Sequence, residues 1–197
     1  AAITAAGRGH AVTLFDRAAE IGGQLCMARR VPGKEEFHGL TDWFATMLAR
    51  TGVTLRLNTE ATVDTLADFD DVIIATGVTP RSPAIPGEER AVSYIDILTG
   101  RVTAGPRVAI IGAGGIGFDV AEFLTVSDSP TLHPAEWMRE WGVGDPAQTP
   151  GGLAPPQPEP PARQVALLQR KPEKPGRKLG KTTGWIHRAA LQAKGVR

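Results

Sequence analysis

One cysteine, Cys26, in 197 residues excludes an internal disulfide framework and any metal site built from several thiolates, and this fits a cytosolic setting. Aromatic residues are sparse at 6%, with a single tyrosine. No apolar run approaches the roughly 18 residues a membrane span needs. Neither sign of charge dominates: the formal net charge is +1, so bulk electrostatics give no case for nucleic acid or a membrane surface. The four histidines are scattered at His10, His38, His133 and His187 and form no ligand pattern; His187 reads as a helix residue. The chain does not open on Met or a signal peptide. Ala1 to Ala6 reads as the middle of a helix, and the expectation is a piece of a larger protein cut at both ends.

What is present is ordinary globular composition, 42% hydrophobic and 22% charged, around one informative stretch. Val108-Ala109-Ile110-Ile111 reads as a buried parallel strand with both faces covered. It runs into Gly112-Ala113-Gly114-Gly115-Ile116-Gly117, a G-x-G-x-x-G motif, and then into a predicted helix over 118–126. In this frame Gly112 makes the tight turn, Gly114 admits a pyrophosphate to the backbone, and Gly117 lets helix and strand pack closely. The N–H groups and positive dipole end of the helix, with Gly115 in its path, face the phosphates.

The rest of the chain reads as a second such unit placed ahead of this one. A helix ending at Gly7 and Gly9 precedes a strand over 10–16, closed by Asp16, where a carboxylate is placed to accept from a ribose hydroxyl. Gly22 and Gly23 form a stretch bare of side chains, with Gln24 and later Lys34 as loop residues. A helix over 35–51 carries Phe37, Leu40, Trp43, Phe44, Met47 and Leu48 at spacings for one buried face. A strand over 53–57, a short connection from Ala61 to Leu66, and a second buried-looking strand over 71–77 (ending Ala75-Thr76-Gly77) follow.

Nine of the sixteen prolines fall between Ser127 and Arg163, where only 135–141 reads as helical, so this segment is an insertion. The strand after it, 164–171, ends in Arg170 and Lys171 rather than in an acid. A carboxylate there would repel a 2′-phosphate, whereas an Arg accommodates one, so the second nucleotide is expected to be NADP(H).

Two nucleotide units in one chain resemble the two-dinucleotide flavoprotein reductases. The strings LFDRAAEIGGQ, VPGKEEF, TGVTLRLN, VAIIGAGGIGFD, EWG, GGL and LQRKPEKPGRKLGKTTGWIHR are similar to the carboxy-terminal part of bacterial NADPH-dependent 2,4-dienoyl-CoA reductases, of the old yellow enzyme-like NADH:flavin oxidoreductase family. That resemblance implies an α/β, Rossmann-like FAD/NAD(P)-binding module, with a partial FAD domain over 1–104 and a partial NADPH domain over 105–197 holding the insert 127–163. It implies FAD contacts at Asp16, Gly23, Gln24, Lys34, Ala61, Ala75 and Gly77. It implies NADPH contacts at Gly112, Gly114, Gly115, Gly117, Arg170 and Lys171, and places Lys174 and Trp185 near the nucleotide or an acyl-CoA.

The family's first glycine motif would lie before Ala1. Its (β/α)₈ barrel, FMN site, 4Fe-4S cysteines and catalytic Tyr and His match no segment of this sequence. The resemblance therefore implies an electron-input module of unsaturated fatty acid β-oxidation, with a barrel domain of the same chain and acyl-CoA as partners, no catalytic side chain and no metal ligand here. Hydride transfer between nicotinamide and flavin requires no side-chain acid or base. The rivals are an electron-input module of another NAD(P)H:flavin oxidoreductase or of a glutamate-synthase-like enzyme, and a nucleotide-binding domain without turnover.

Overall fold

The computed structural model describes residues 1–197, which form two compact units. The first comprises 1–29 and 36–89; the second comprises 30–35 and 90–197. The division into compact units falls at 89/90, and the short segment 30–35 belongs with the second unit.

In the first unit, helix α1 (Ala2–Gly7) leads to strand β1 (Thr13–Phe15), which pairs in parallel with β2 (Thr54–Arg56). Between them lie the short helix α2 (Leu25–Ala28) and α3 (Phe37–Arg50). Parallel neighbours require a crossover connection, and α3 supplies it. Its inward stripe differs from the predicted one: Thr41 and Leu48 are buried, while Leu40 and Trp43 face outward, Trp43 being 51% exposed. Thr41 can occupy the inner position because its hydroxyl donates to the His38 carbonyl at 2.8 Å, which satisfies the polar group locally. The connection after β2 contains a one-turn helix, α4 (Val63–Leu66), closed at its start by a reciprocal capping box between Thr62 and Thr65.

The strand expected over 71–77 does not form. The segment carries no regular secondary structure and joins no ladder, and Ile73 and Ile74 are 71% and 83% exposed. β-Branched residues favour extended backbone, but a strand exists only where a partner's N–H and C=O groups are aligned beside it, and neither β1 nor β2 lies there.

In the second unit, Ser93 caps α5 (Tyr94–Thr99) by accepting from the Ile95 N–H, and Gly100 in the left-handed region (φ 76°) ends it. Strand β3 (Arg107–Ile111) then pairs in parallel and in register with β4 (Gln164–Leu168). Helix α6 (Gly115–Thr125) follows β3 and buries Phe118, Val120, Ala121 and Leu124 against the sheet, α5 and the last helix, α8 (Gly184–Ala193). α6 starts three residues before the predicted Phe118, because its first turn is built from the motif's own glycines.

The sheet is covered on one face only, which corrects the reading of β3 as covered on both. Val108 pairs with Val165 and Ile110 with Leu167 on the packed face; Ala109–Ala166 and Ile111–Leu168 lie on the other, where Ile111 is 54% and Leu168 50% exposed. Beyond β4, the backbone of Arg197 donates to the Val165 carbonyl (3.2 Å) and accepts from the Leu167 N–H (2.7 Å), the paired bonds of a parallel neighbour.

The insertion is built and anchored. Helix α7 (Pro134–Trp141) begins with proline at its first position and ends on Gly142, whose carbonyl accepts from Ala154 N–H at 2.8 Å. A single antiparallel bridge joins Val143 to Leu153. The whole is tied to the end of α8 by Lys194, which bonds Glu140 at 2.5 Å with both side chains about nine-tenths buried.

Candidate functional site

The loop between β3 and α6 shows three distinct glycine environments. Gly112 has φ 119°, and its N–H donates to the Leu168 carbonyl at 2.8 Å, extending the β3–β4 ladder by one bond before the chain turns. Gly114 begins α6 in extended conformation, with open space where a Cβ would stand. Gly117 is buried, and a Cβ there would lie 1.9 Å from the Gly112 carbonyl oxygen. Sterics alone therefore demand glycine at 117, whereas nothing inside the protein demands it at 114; the room over Gly114 is available to a ligand. Helix α6 has no side-chain cap and no acid in its first turn, so its leading N–H groups remain free to meet an anion. This cradle fits the pyrophosphate of a dinucleotide.

A basic loop is fastened beside it. β4 ends at Leu168, short of the predicted 171, because the Gln169 amide turns back to donate to the carbonyls of Lys171 and Glu173. Arg170 and Lys171 stand exposed just past the strand, and Lys174, Arg177, Lys178 and Lys181 follow in the same loop. The Gly176 N–H donates to the Ala113 carbonyl at 3.1 Å, so the basic loop touches the glycine loop directly. Trp185, on the first turn of α8, is 59% exposed. The structure thus brings Gly112, Gly114, Gly115, Gly117, Arg170, Lys171, Lys174 and Trp185 into one unit.

The other residues implied by the resemblance are distributed differently. Asp16 follows β1 and accepts from the Ala18 N–H at 2.9 Å, which fixes its carboxylate at the strand end. Gly23 sits before α2 with open space around it, and Gln24 is the residue that starts that helix. Ala61 precedes α4, while Ala75 and Gly77 lie in the exposed irregular segment after it. All six belong to the first unit. Lys34 does not: it belongs to the second unit, where its ammonium bonds Asp119 of α6 at 2.7 Å.

That pairing reveals a polar cluster the sequence reading passed over. Asp119 and Glu122, three apart on α6, flank its buried stripe. His187 of α8 bonds Glu122 through Nδ1 at 2.7 Å. Burial pushes the Glu122 carboxyl above its ordinary range, and the hydrogen bond and charge of His187 oppose that push without cancelling it. Two acids inside the otherwise apolar run 118–124 were the available signal. In segment 30–35, burial would raise the Glu35 carboxyl, but hydrogen bonds from Ser129, the Gly33 N–H and Thr131 outweigh it and hold the group below its usual range. Cys26 is half-buried and donates to the Ile21 carbonyl; burial and the nearby Glu20 raise its thiol, so it is no ready nucleophile.

Comparison with known proteins matches the family model described as "Pyridine nucleotide-disulphide oxidoreductase" over residues 1–197. Over 132 residues the chain is 39% identical to an NADH oxidase of Thermoanaerobacter brockii, covering 63% of this chain and 20% of that protein. Over 126 residues it is 35% identical to a cinnamate reductase of Clostridium sporogenes, covering 63% of this chain and 19% of that protein. Among solved structures, a 2-naphthoyl-CoA reductase in complex with 2-naphthoyl-CoA covers 100% of this chain and 25% of its own, with a TM-score of 0.75 and 24% identity, which speaks to the fold alone. The chain spans about a fifth of the length of the curated relatives it matches.

Proposed function

The chain belongs to the pyridine nucleotide-disulphide oxidoreductase family, an FAD- and NAD(P)H-binding group, and from that premise we propose that it is the electron-input module of an NADPH-dependent 2,4-dienoyl-CoA reductase. One observation carries the nucleotide half of this reading: the basic loop is hydrogen-bonded to the glycine loop through Gly176 and Ala113. A dinucleotide whose pyrophosphate lies over Gly114 extends its adenosine ribose towards the end of β4, where Arg170 and Lys171 stand. Two cations in that place favour a 2′-phosphate over a hydroxyl.

The substrate half rests on the string LQRKPEKPGRKLGKTTGWIHR and its neighbours. It is supported by a relative named for the reduction of cinnamate. In this reading acyl-CoA, FMN and a 4Fe-4S cluster belong with the barrel domain of the whole protein, and the setting is cytoplasmic.

The bound cofactors supply the hydride chemistry, from nicotinamide to flavin. This chain's residues bind and orient. The first-turn amides of α6 receive the pyrophosphate, Gly117 keeps the helix pressed to β3, and Arg170 and Lys171 select the nucleotide. In the first unit Asp16 is the acceptor for a ribose hydroxyl of FAD, while Gly23, Gln24, Ala61, Ala75 and Gly77 line its path. Lys34 lies in the second unit, where its ammonium is held by Asp119.

Titration calorimetry with NADPH and NADH, on the native chain and on an Arg170→Asp, Lys171→Ser variant, tests the reading. The native chain is expected to prefer NADPH, and the variant to lose about tenfold or more of that preference, the scale of one or more charge-assisted hydrogen bonds. A native chain that binds both nucleotides equally would overturn the NADPH assignment. It would favour the second reading, an NADH-linked flavin reductase module, to which the 39% identity with an NADH oxidase points.

A further inference from the structure

The segment from Arg170 to Lys181 holds six cations and one acid, all within twelve residues. Such a loop repels itself and would sample many conformations unless something holds it. The ion pair within it, Arg177 to Glu173 at 2.9 Å, is exposed and contributes little. What holds the loop is the hydrogen bonding of its own backbone at Gly176. The peptide groups flanking Gly176 are gripped on both sides: its N–H donates to Ala113 of the glycine loop at 3.1 Å, and its carbonyl accepts from Arg188 of α8 at 3.4 Å.

Gly176 is buried at φ 70°, and a Cβ on it would meet Leu179 Cδ1 at 2.7 Å and the Phe118 ring at 2.8 Å. Leu179 is wedged in the same place: a Cβ on Gly184 would meet it at 2.9 Å, and its other methyl reaches within 4.0 Å of the space over Gly115. The chain thus folds an apolar pin under a cationic loop and drives it against the first turn of α6.

We propose that Gly176 and Leu179 are positioning residues that set the preference for the phosphorylated nucleotide, by locking the cationic loop at a fixed height over the glycine loop. This rests on the NADPH reading above. Neither residue has a charge or touches a phosphate; they act by removing the conformational freedom that Arg170, Lys171 and their neighbours would otherwise lose on binding. NADPH and NADH differ only in the 2′-phosphate, so the ratio of their affinities isolates this effect. Partial unfolding lowers both affinities together and leaves the ratio alone.

The test measures NADPH and NADH affinities by calorimetry for the native chain, Leu179→Ala, Leu179→Met, Gly176→Ala and the Arg170→Asp, Lys171→Ser variant. In Leu179→Ala the NADPH:NADH preference is expected to fall about tenfold while NADH affinity changes less than about twofold. Leu179→Met, close in volume, is expected to restore most of it. Gly176→Ala is expected to behave as Leu179→Ala. If the double charge variant loses the preference but Leu179→Ala and Gly176→Ala keep it, or lose both affinities in parallel, the positioning role is wrong and the NADPH reading stands. If the native chain shows no preference, the NADPH reading fails and the positioning role with it.

Discussion

Alanine at each of the motif's three spaced glycines should produce three different signatures, because each glycine answers to a different constraint. At Gly117 the added methyl would lie 1.9 Å from the Gly112 oxygen and 3.0 Å from its carbonyl carbon. Ordinary carbon–oxygen contact is above about 3.2 Å, so α6 must withdraw from β3 by more than about 1 Å, and close-packed interiors resist this. The expected loss is on the order of 3 kcal/mol, which lowers Tm by about 6–12 °C in a chain of this size. At Gly114 nothing stands within 4 Å and φ is −95°, so stability should change by less than about 1 kcal/mol. The methyl instead enters the space reserved for pyrophosphate, and nucleotide affinity should fall about tenfold or more. At Gly112, with φ 119°, backbone strain of about 1–3 kcal/mol is expected without any clash. Thermal denaturation and calorimetric titration with NADPH, run on the three variants, separate these outcomes. A Gly114→Ala chain that melts early, or binds nucleotide as well as the native chain, would refute the assignment of open space over Gly114 to a ligand.

Other expectations concern the carboxylates. Glu122→Gln keeps an acceptor for His187 and should remain within about 1 kcal/mol of native stability at neutral pH, whereas Glu122→Ala strands the imidazole and should cost about 1–3 kcal/mol. The pKa of Glu122 is raised by folding, so its favourable contribution is complete below the unfolded value of about 4.3 and is lost as pH rises through the folded one. Denaturant titrations of both variants across pH 4–8 should therefore show the glutamine variant gaining on the native chain with rising pH; a flat difference would contradict this. Glu35 has the opposite sign: its pKa is lowered, so the grip of segment 30–35 on Thr131 and Ser129 is present above about pH 4.3 and is lost as pH falls through the depressed value. Protection of the Gly33 amide, whose N–H donates to both Glu35 and Thr131, measured against its intrinsic exchange rate, should fall on that descent and should already be lower in Glu35→Ala.

The parts of this fold legible in the sequence were those fixed by local sterics. The three glycine environments and the helix after them follow from spacing alone, since each depends on neighbours within a few residues. Where partners decide, sequence reading went astray. The run Val72-Ile73-Ile74 has the composition of a buried strand and lies exposed, because pairing is a property of two chains of backbone and not of one. Ile111 reads as interior but faces outward, because its strand is paired yet covered on one face only. Helix α5 is bracketed by Ser93 and Gly100, but its six residues carry too little periodicity to stand out from the turn-rich chain before them. Lys34 and Asp119 are 85 residues apart, and no spacing rule joins them.

β3 and β4 stand side by side, yet Arg107 and its partner Gln164 are separated by nearly sixty residues, most of them in α6 and the proline-rich insertion. The glycine loop and the basic loop therefore lie on opposite banks of that insertion. Pairing β3 with β4 closes a long loop, which costs conformational entropy that grows slowly with its length. The same arrangement makes the insertion a seam: a protease cut in its exposed stretch around Pro158 would divide the polypeptide without dividing the binding unit, whose halves stay joined by the β3–β4 ladder, the Lys194–Glu140 pair and the pin at Leu179.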